Sequence, residues 1–175
     1  MNVNRRWSWT SAALAVVLGP LIMASMTAAV DPAARIATSG LGAIRIGMTV
    51  DQVREANGGR IGEISNAAGD GSCASAELSP RVSALFTRGV LARVYVNTRR
   101  HPTHKGIRVG DSAGDVRRAY GRKVTSAPAP YDPRGRELRV TTGNRRIVFT
   151  TRSTGRIVAI STGRFPEITY IEGCA

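Results

Sequence analysis

The sequence predicts an α+β protein of two tandem repeats, each a short α-helix followed by an antiparallel β-meander. Three observations predict it. Ile44-Arg45-Ile46-Gly47-Met48-Thr49 returns at an offset of 63 as Ile107-Arg108-Val109-Gly110-Asp111-Ser112. Carried on to Gly58 and Gly121, the two segments share 7 of 15 residues. At a usage of about 7% per residue type, roughly one identity would arise by chance, so chance does not explain the duplication. Apolar residues then recur at helical spacing inside each copy and alternate along the segments that follow.

The first element in order is a targeting segment over residues 1–29. Arg5 and Arg6 form a positive n-region, Ala12 to Ala24 is apolar around Gly19-Pro20, and Thr27-Ala28-Ala29 offers small residues for cleavage near Ala29. The apolar stretch is short against the ~20 residues of a bilayer span, and an uncleaved N-terminal anchor is the alternative. The first repeat then occupies 30–97, a linker 98–105, and the second repeat 106–175.

Thr49 and Ser112 stand as helix N-caps, each with a polar partner three residues on, Gln52 and Asp115. Val50, Val53 and Ala56, and likewise Ala113, Val116 and Ala119, mark the apolar faces of two-turn helices closed by Gly58 and Gly121. Helices so short need a sheet behind them. In the first copy Val82, Ala84 and Phe86 lead through Arg88-Gly89 into Val90 to Val96. In the second, Leu138 and Val140 turn at Gly143-Asn144 into Ile147 and Phe149, and Ser153-Thr154-Gly155 leads into Arg156 to Ser161. Ile168 to Ile171 is predicted as a closing strand.

Composition narrows the function. Of 175 residues, 42% are hydrophobic and 21% charged, which excludes a wholly disordered, collagenous or multi-span membrane chain. Lys plus Arg is 25 against 12 Asp plus Glu, a formal net charge of +13, and Lys105 and Lys123 are the only lysines. Such a charge favours anionic surfaces, while export argues against nucleic acid. Cys73 and Cys174, the only cysteines, are expected to be joined in an oxidising compartment. No nucleophile-elbow, zinc-protease or phosphate-loop pattern occurs. His101 and His104 straddle Pro102 without a third ligand nearby, so they read as part of a solvated linker, and neither a metal nor a cofactor is expected.

Gly47-Met48-Thr49 followed by Gln52-Val53, with Gly58 closing the helix, resembles the motif of the BamE/SmpA/OmlA family of small outer-membrane assembly lipoproteins. A tandem pair of such units is similar in architecture to the β-lactamase inhibitory protein family. The resemblance implies a protein-binding module of the bacterial envelope or secretome, periplasmic or secreted, without active-site chemistry. A partner would meet the strand face that alternates away from Val82, Ala84 and Phe86, unless the two repeats bury that face between them, which the two-sided apolar strands equally allow. Leu85, Val148 and the loop residue Tyr131 are its candidate contacts. A basic protein that binds anionic envelope polymers or lipids is the second reading, and an uncharacterised enzyme the third.

Overall fold

The computed structural model describes residues 30–174, apart from Ala67, Ala68 and Asp70. The predicted targeting segment lies outside the described residues. The chain begins with three two-residue strands, β1 (Ile36–Ala37), β2 (Gly40–Leu41) and β3 (Ile44–Arg45), in a small antiparallel sheet. Helix α1 (Val50–Ala56) follows, and then strands β4 (Cys73–Ser79), β5 (Val82–Thr87) and β6 (Val90–Val96). Helix α2 (Ala113–Tyr120) precedes β7 (Val124–Ala129), β8 (Asp132–Thr142), β9 (Arg145–Thr151) and β10 (Ile157–Arg164).

Both helices begin where the sequence places them. Thr49 and Ser112 each accept a hydrogen bond from the third helical residue, and the Gln52 and Asp115 side chains reach back to the cap N–H. Each box satisfies two of the donors that a helix N-terminus leaves unpaired. Gly121, at φ 56°, ends α2 in a backbone conformation that costs glycine little. The residues before each cap dock on a distant strand. Gly47 N–H donates to Leu91 O and Leu91 N–H to Met48 O; Gly110 N–H donates to Ile157 O and Ile157 N–H to Asp111 O.

The seven long strands form one antiparallel sheet in the order β4-β5-β6-β10-β9-β8-β7. Its centre is the β6–β10 pair, where Val96 stands opposite Ile160 and Tyr95 opposite Ser161. Alternation then fixes two faces. One carries Phe86, Leu91, Val94, Phe149 and Ile160 into a core closed by Val53 and Val116 of the helices and by Ile36, Leu41 and Ile44 of the small sheet. Each such side chain, fully buried, contributes roughly 1.5–3 kcal/mol. Thr162 is buried on this face and donates to Ala37 O at 2.7 Å, so its hydroxyl is satisfied.

Two expectations are corrected here. Segment 98–105 is solvated only in part: Arg99, Arg100, His104 and Lys105 are exposed, but its middle packs along β1, with Ile36 N–H donating to Pro102 O and His104 N–H to Ile36 O. Thr103 and His101 are buried, and His101 Nδ1 lies 3.3 Å from Ala34 O. Ile168–Ile171 is not a strand. The cis Phe165–Pro166 bond opens a 3-10 turn over Glu167–Thr169, and the last residues run on as an irregular segment.

Candidate functional site

The second face of the sheet is where the C-terminal segment lies. Glu167 and Ile168 are buried there, and Cys174 is joined to Cys73 at the start of β4, Cα to Cα 5.4 Å. Two residues earlier, Glu172 accepts a hydrogen bond from Tyr131 in the β7–β8 turn. One strap thus touches both outer strand pairs of the sheet across this face.

Alternation places named residues in rows across this face. Val148 of β9 stands opposite Arg139 of β8 and Ser161 of β10, and Ser161 opposite Tyr95 of β6. A second row runs from Leu85 of β5 through Arg93 of β6 to Gly163 of β10 and Arg146 of β9. Gly163 is required by close approach: a Cβ there would meet Ala92 O at 2.7 Å.

The three predicted contact residues do share this side of the molecule, but with different surroundings. Leu85 is 2% exposed and lies beneath the strap, where a Cβ on Gly173 would sit 3.6 Å from Leu85 Cδ1. It is spent on holding the strap and is not offered to a partner. Val148 is also buried but lines a cavity of about 230 Å³ together with Tyr131, Ile168 and Ile171. Tyr131 is 72% exposed at the rim. The loop expected around it is a turn of Pro130 and Tyr131 between paired strands, so its backbone position is fixed.

Sequence reasoning missed the polar lining of that cavity. Arg93, Arg139 and Arg146 face it with a single carboxylate, Glu137. Arg139 is tied to Glu137, Nη2 to Oε2 2.6 Å. Arg93, only 8% exposed, donates through Nη1 to Tyr170 O at 2.8 Å and through Nη2 to Ser161 Oγ at 3.2 Å. Its guanidinium stacks 4.1 Å from the Tyr95 ring centre, and its Nε has no hydrogen-bond partner among the described residues. Burial lowers the Arg93 pKa, partly offset by Tyr95 and Glu137, and burial beside Arg139 lowers that of Arg146. The available signal was one arginine in the middle of the apolar run Val90–Val96.

A second, broader hollow of about 1020 Å³ lies between the strap and the β4–β5 end of the sheet. Its buried carboxylate, Glu167, is bonded through Oε1 and leaves Oε2 without a hydrogen-bond partner among the described residues. Glu167 Oε1 accepts from Arg164 at 3.0 Å and from Thr87 at 2.7 Å, and although burial acts to raise the Glu167 pKa, these bonds hold it below the usual carboxylate range. Among the described residues no cluster of three or more His, Cys, Asp or Glu could hold a metal ion, and no helix is long and apolar enough to cross a membrane.

Fold and site together define a disulfide-bonded α+β protein whose large sheet carries its own C-terminal strap on one face. No family model matches the chain, and no curated protein matches it. Solved structures do resemble it. The uncharacterized protein yfeY from Escherichia coli is 14% identical, superposes with a TM-score of 0.53, and covers 74% of this chain and 99% of its own. A DUF4309 family protein from Bacillus subtilis is 11% identical over 74% of this chain and 87% of its own, with a TM-score of 0.47. An SCP-domain extracellular protein from Bacillus anthracis is 10% identical over 69% of this chain and 44% of its own, with a TM-score of 0.43. The first of these likenesses is one of fold.

Proposed function

We propose that the protein is an exported, non-enzymatic module that binds another envelope or secreted protein through the face of its sheet that carries the strap. Inhibition of that partner is one form such binding takes. On this reading the chain is a tandem pair of helix-plus-meander units of the BamE kind, fused edge to edge at β6 and β10. The matched docking of Gly47 on Leu91 and of Gly110 on Ile157 supports the pairing. A disulfide between residues 101 apart supports an oxidising compartment.

The observation that carries the binding role is the cavity rimmed by Tyr131, an exposed aromatic held by paired strands beside buried Val148 and Ile168. A rigid aromatic next to an apolar floor is the usual composition of an interface anchor. The strap occupies the rest of the face, which keeps the contact surface small. Capture of partners by tagged protein from an envelope fraction, at low and moderate salt, tests the proposal. A discrete protein that survives moderate salt and is lost with Tyr131→Asp is the expected result. Retention of many polyanions that vanishes with salt would instead establish the second reading, a charge-driven ligand of anionic polymers or lipids, which the net charge of +13 favours.

A further inference from the structure

The 230 Å³ cavity carries more charge than its neighbours on the sheet can neutralise. Three guanidinium groups face it against one carboxylate, and that carboxylate is engaged by Arg139. Arg93 is more than nine-tenths buried, forms no ion pair among the described residues, and keeps an unpartnered Nε. Burying a guanidinium without an anion is costly, and natural sites rarely leave it so unless a ligand supplies the charge. Arg146 is likewise without a carboxylate partner; it stacks 4.4 Å from the Phe165 ring centre and donates from Nε to Thr141 Oγ1 at 3.0 Å. The sheet holds both arginines at fixed register, so the positive field is preorganised.

Size and rim choose the occupant. The cavity is smaller than the roughly 300–1,000 Å³ typical of small-molecule sites, and suits one side chain. Its apolar wall is built from Val148, Ile168 and Ile171. The rim already shows how a peptide sits there: the strap's Tyr170 carbonyl accepts from Arg93, and the strap's Glu172 carboxylate accepts from Tyr131. We infer that this cavity receives an acidic side chain, Asp or Glu, from the partner protein, with Arg93, Arg139 and Arg146 as its counter-charges. The inference rests on the protein-binding reading above and names the chemistry that the partner must present.

Arginine Nε–H resonances provide the test. Oxidised full-length protein is titrated with the capped peptide acetyl-Gly-Glu-Gly-amide, with its Gln counterpart, and with inorganic phosphate. The Glu peptide is expected to shift the Arg93 and Arg146 Nε–H signals saturably, and the Gln peptide to leave them in place. Arg146→Gln, a change at a half-buried position, is expected to weaken the Glu peptide about tenfold, the value of one charge-assisted hydrogen bond. Equal shifts with Glu and Gln peptides, or a saturable response to phosphate alone, would overturn the inference. So would silence with every probe. The two levels separate cleanly. A captured partner indifferent to Arg146→Gln sinks the cavity assignment and leaves the module, whereas a Glu response with no captured protein does the reverse.

Discussion

At the residue scale, His101 shows how position changes a side chain's chemistry. Its sequence neighbours suggested a solvated imidazole, yet β1 and segment 98–105 close over it. Burial lowers its pKa, with the Ala34 carbonyl opposing and Arg100 adding to the shift. The folded state therefore favours neutral histidine, while the unfolded chain takes up a proton below about pH 6.5. A depressed folded pKa means that stability is complete above the unfolded value and falls as pH drops from there toward the folded one. Urea unfolding at pH 7 and pH 5.5 should show this loss in the native protein and a smaller one in His101→Gln. Identical losses in both would show that His101 is not the group responsible.

At the scale of elements, the capping boxes were legible because capping is local: four adjacent residues contain both donors and both acceptors. Ser112→Ala should lower stability by about 1 kcal/mol. It should also let the Asp115 carboxyl titrate higher, since the Ser112 hydroxyl and N–H are what hold it below its ordinary value. Denaturant unfolding and carboxyl NMR titration report the two effects, and an unmoved Asp115 would refute the assignment. Strands β5, β6, β8, β9 and β10 were legible for the same local reason, alternation between turn residues. Strands β4 and β7 were not: Cys73–Ser79 holds no β-branched or aromatic residue, and β7 carries Pro128. Both lie at the edges of the sheet, the place where proline is tolerated and where partners define a strand more than its own sequence does. The cavity was illegible because Arg93, Arg139 and Arg146 come together only through the order β6-β10-β9-β8.

At the scale of the whole molecule, the β6–β10 pair makes the two halves one hydrogen-bonded sheet, and the disulfide closes the strap across it. Two correct expectations met here, the cysteine pairing and the predominantly antiparallel α+β class, because cysteine count and strand signals do not depend on knowing the topology. For a loop of about 100 residues the chain-entropy model gives ~4.7 kcal/mol, an upper figure. Replacing Cys73 and Cys174 together with Ser should cost about 2–5 kcal/mol in denaturant unfolding and free the strap to exchange with solvent. Unchanged stability would mean that the strap's own packing suffices to hold it.

The same bridge also determines how the molecule would bear load. Cys73–Cys174 makes β4 through β10 a covalent ring, while β1–β3 and α1 lie outside it on the N-terminal side. Tension applied between the chain ends enters through that N-terminal arm, crosses the sulfur–sulfur bond, and leaves at the C-terminus without passing through the large sheet. In the oxidised protein only the arm can pay out. Reduction puts the 101-residue separation back in series, and at about 3.3–3.6 Å per extended residue adds roughly 350 Å of contour length. A single-molecule extension trace with and without reductant would read that difference directly: the oxidised protein is a short tether attached to a shielded body, and the reduced one is a rope.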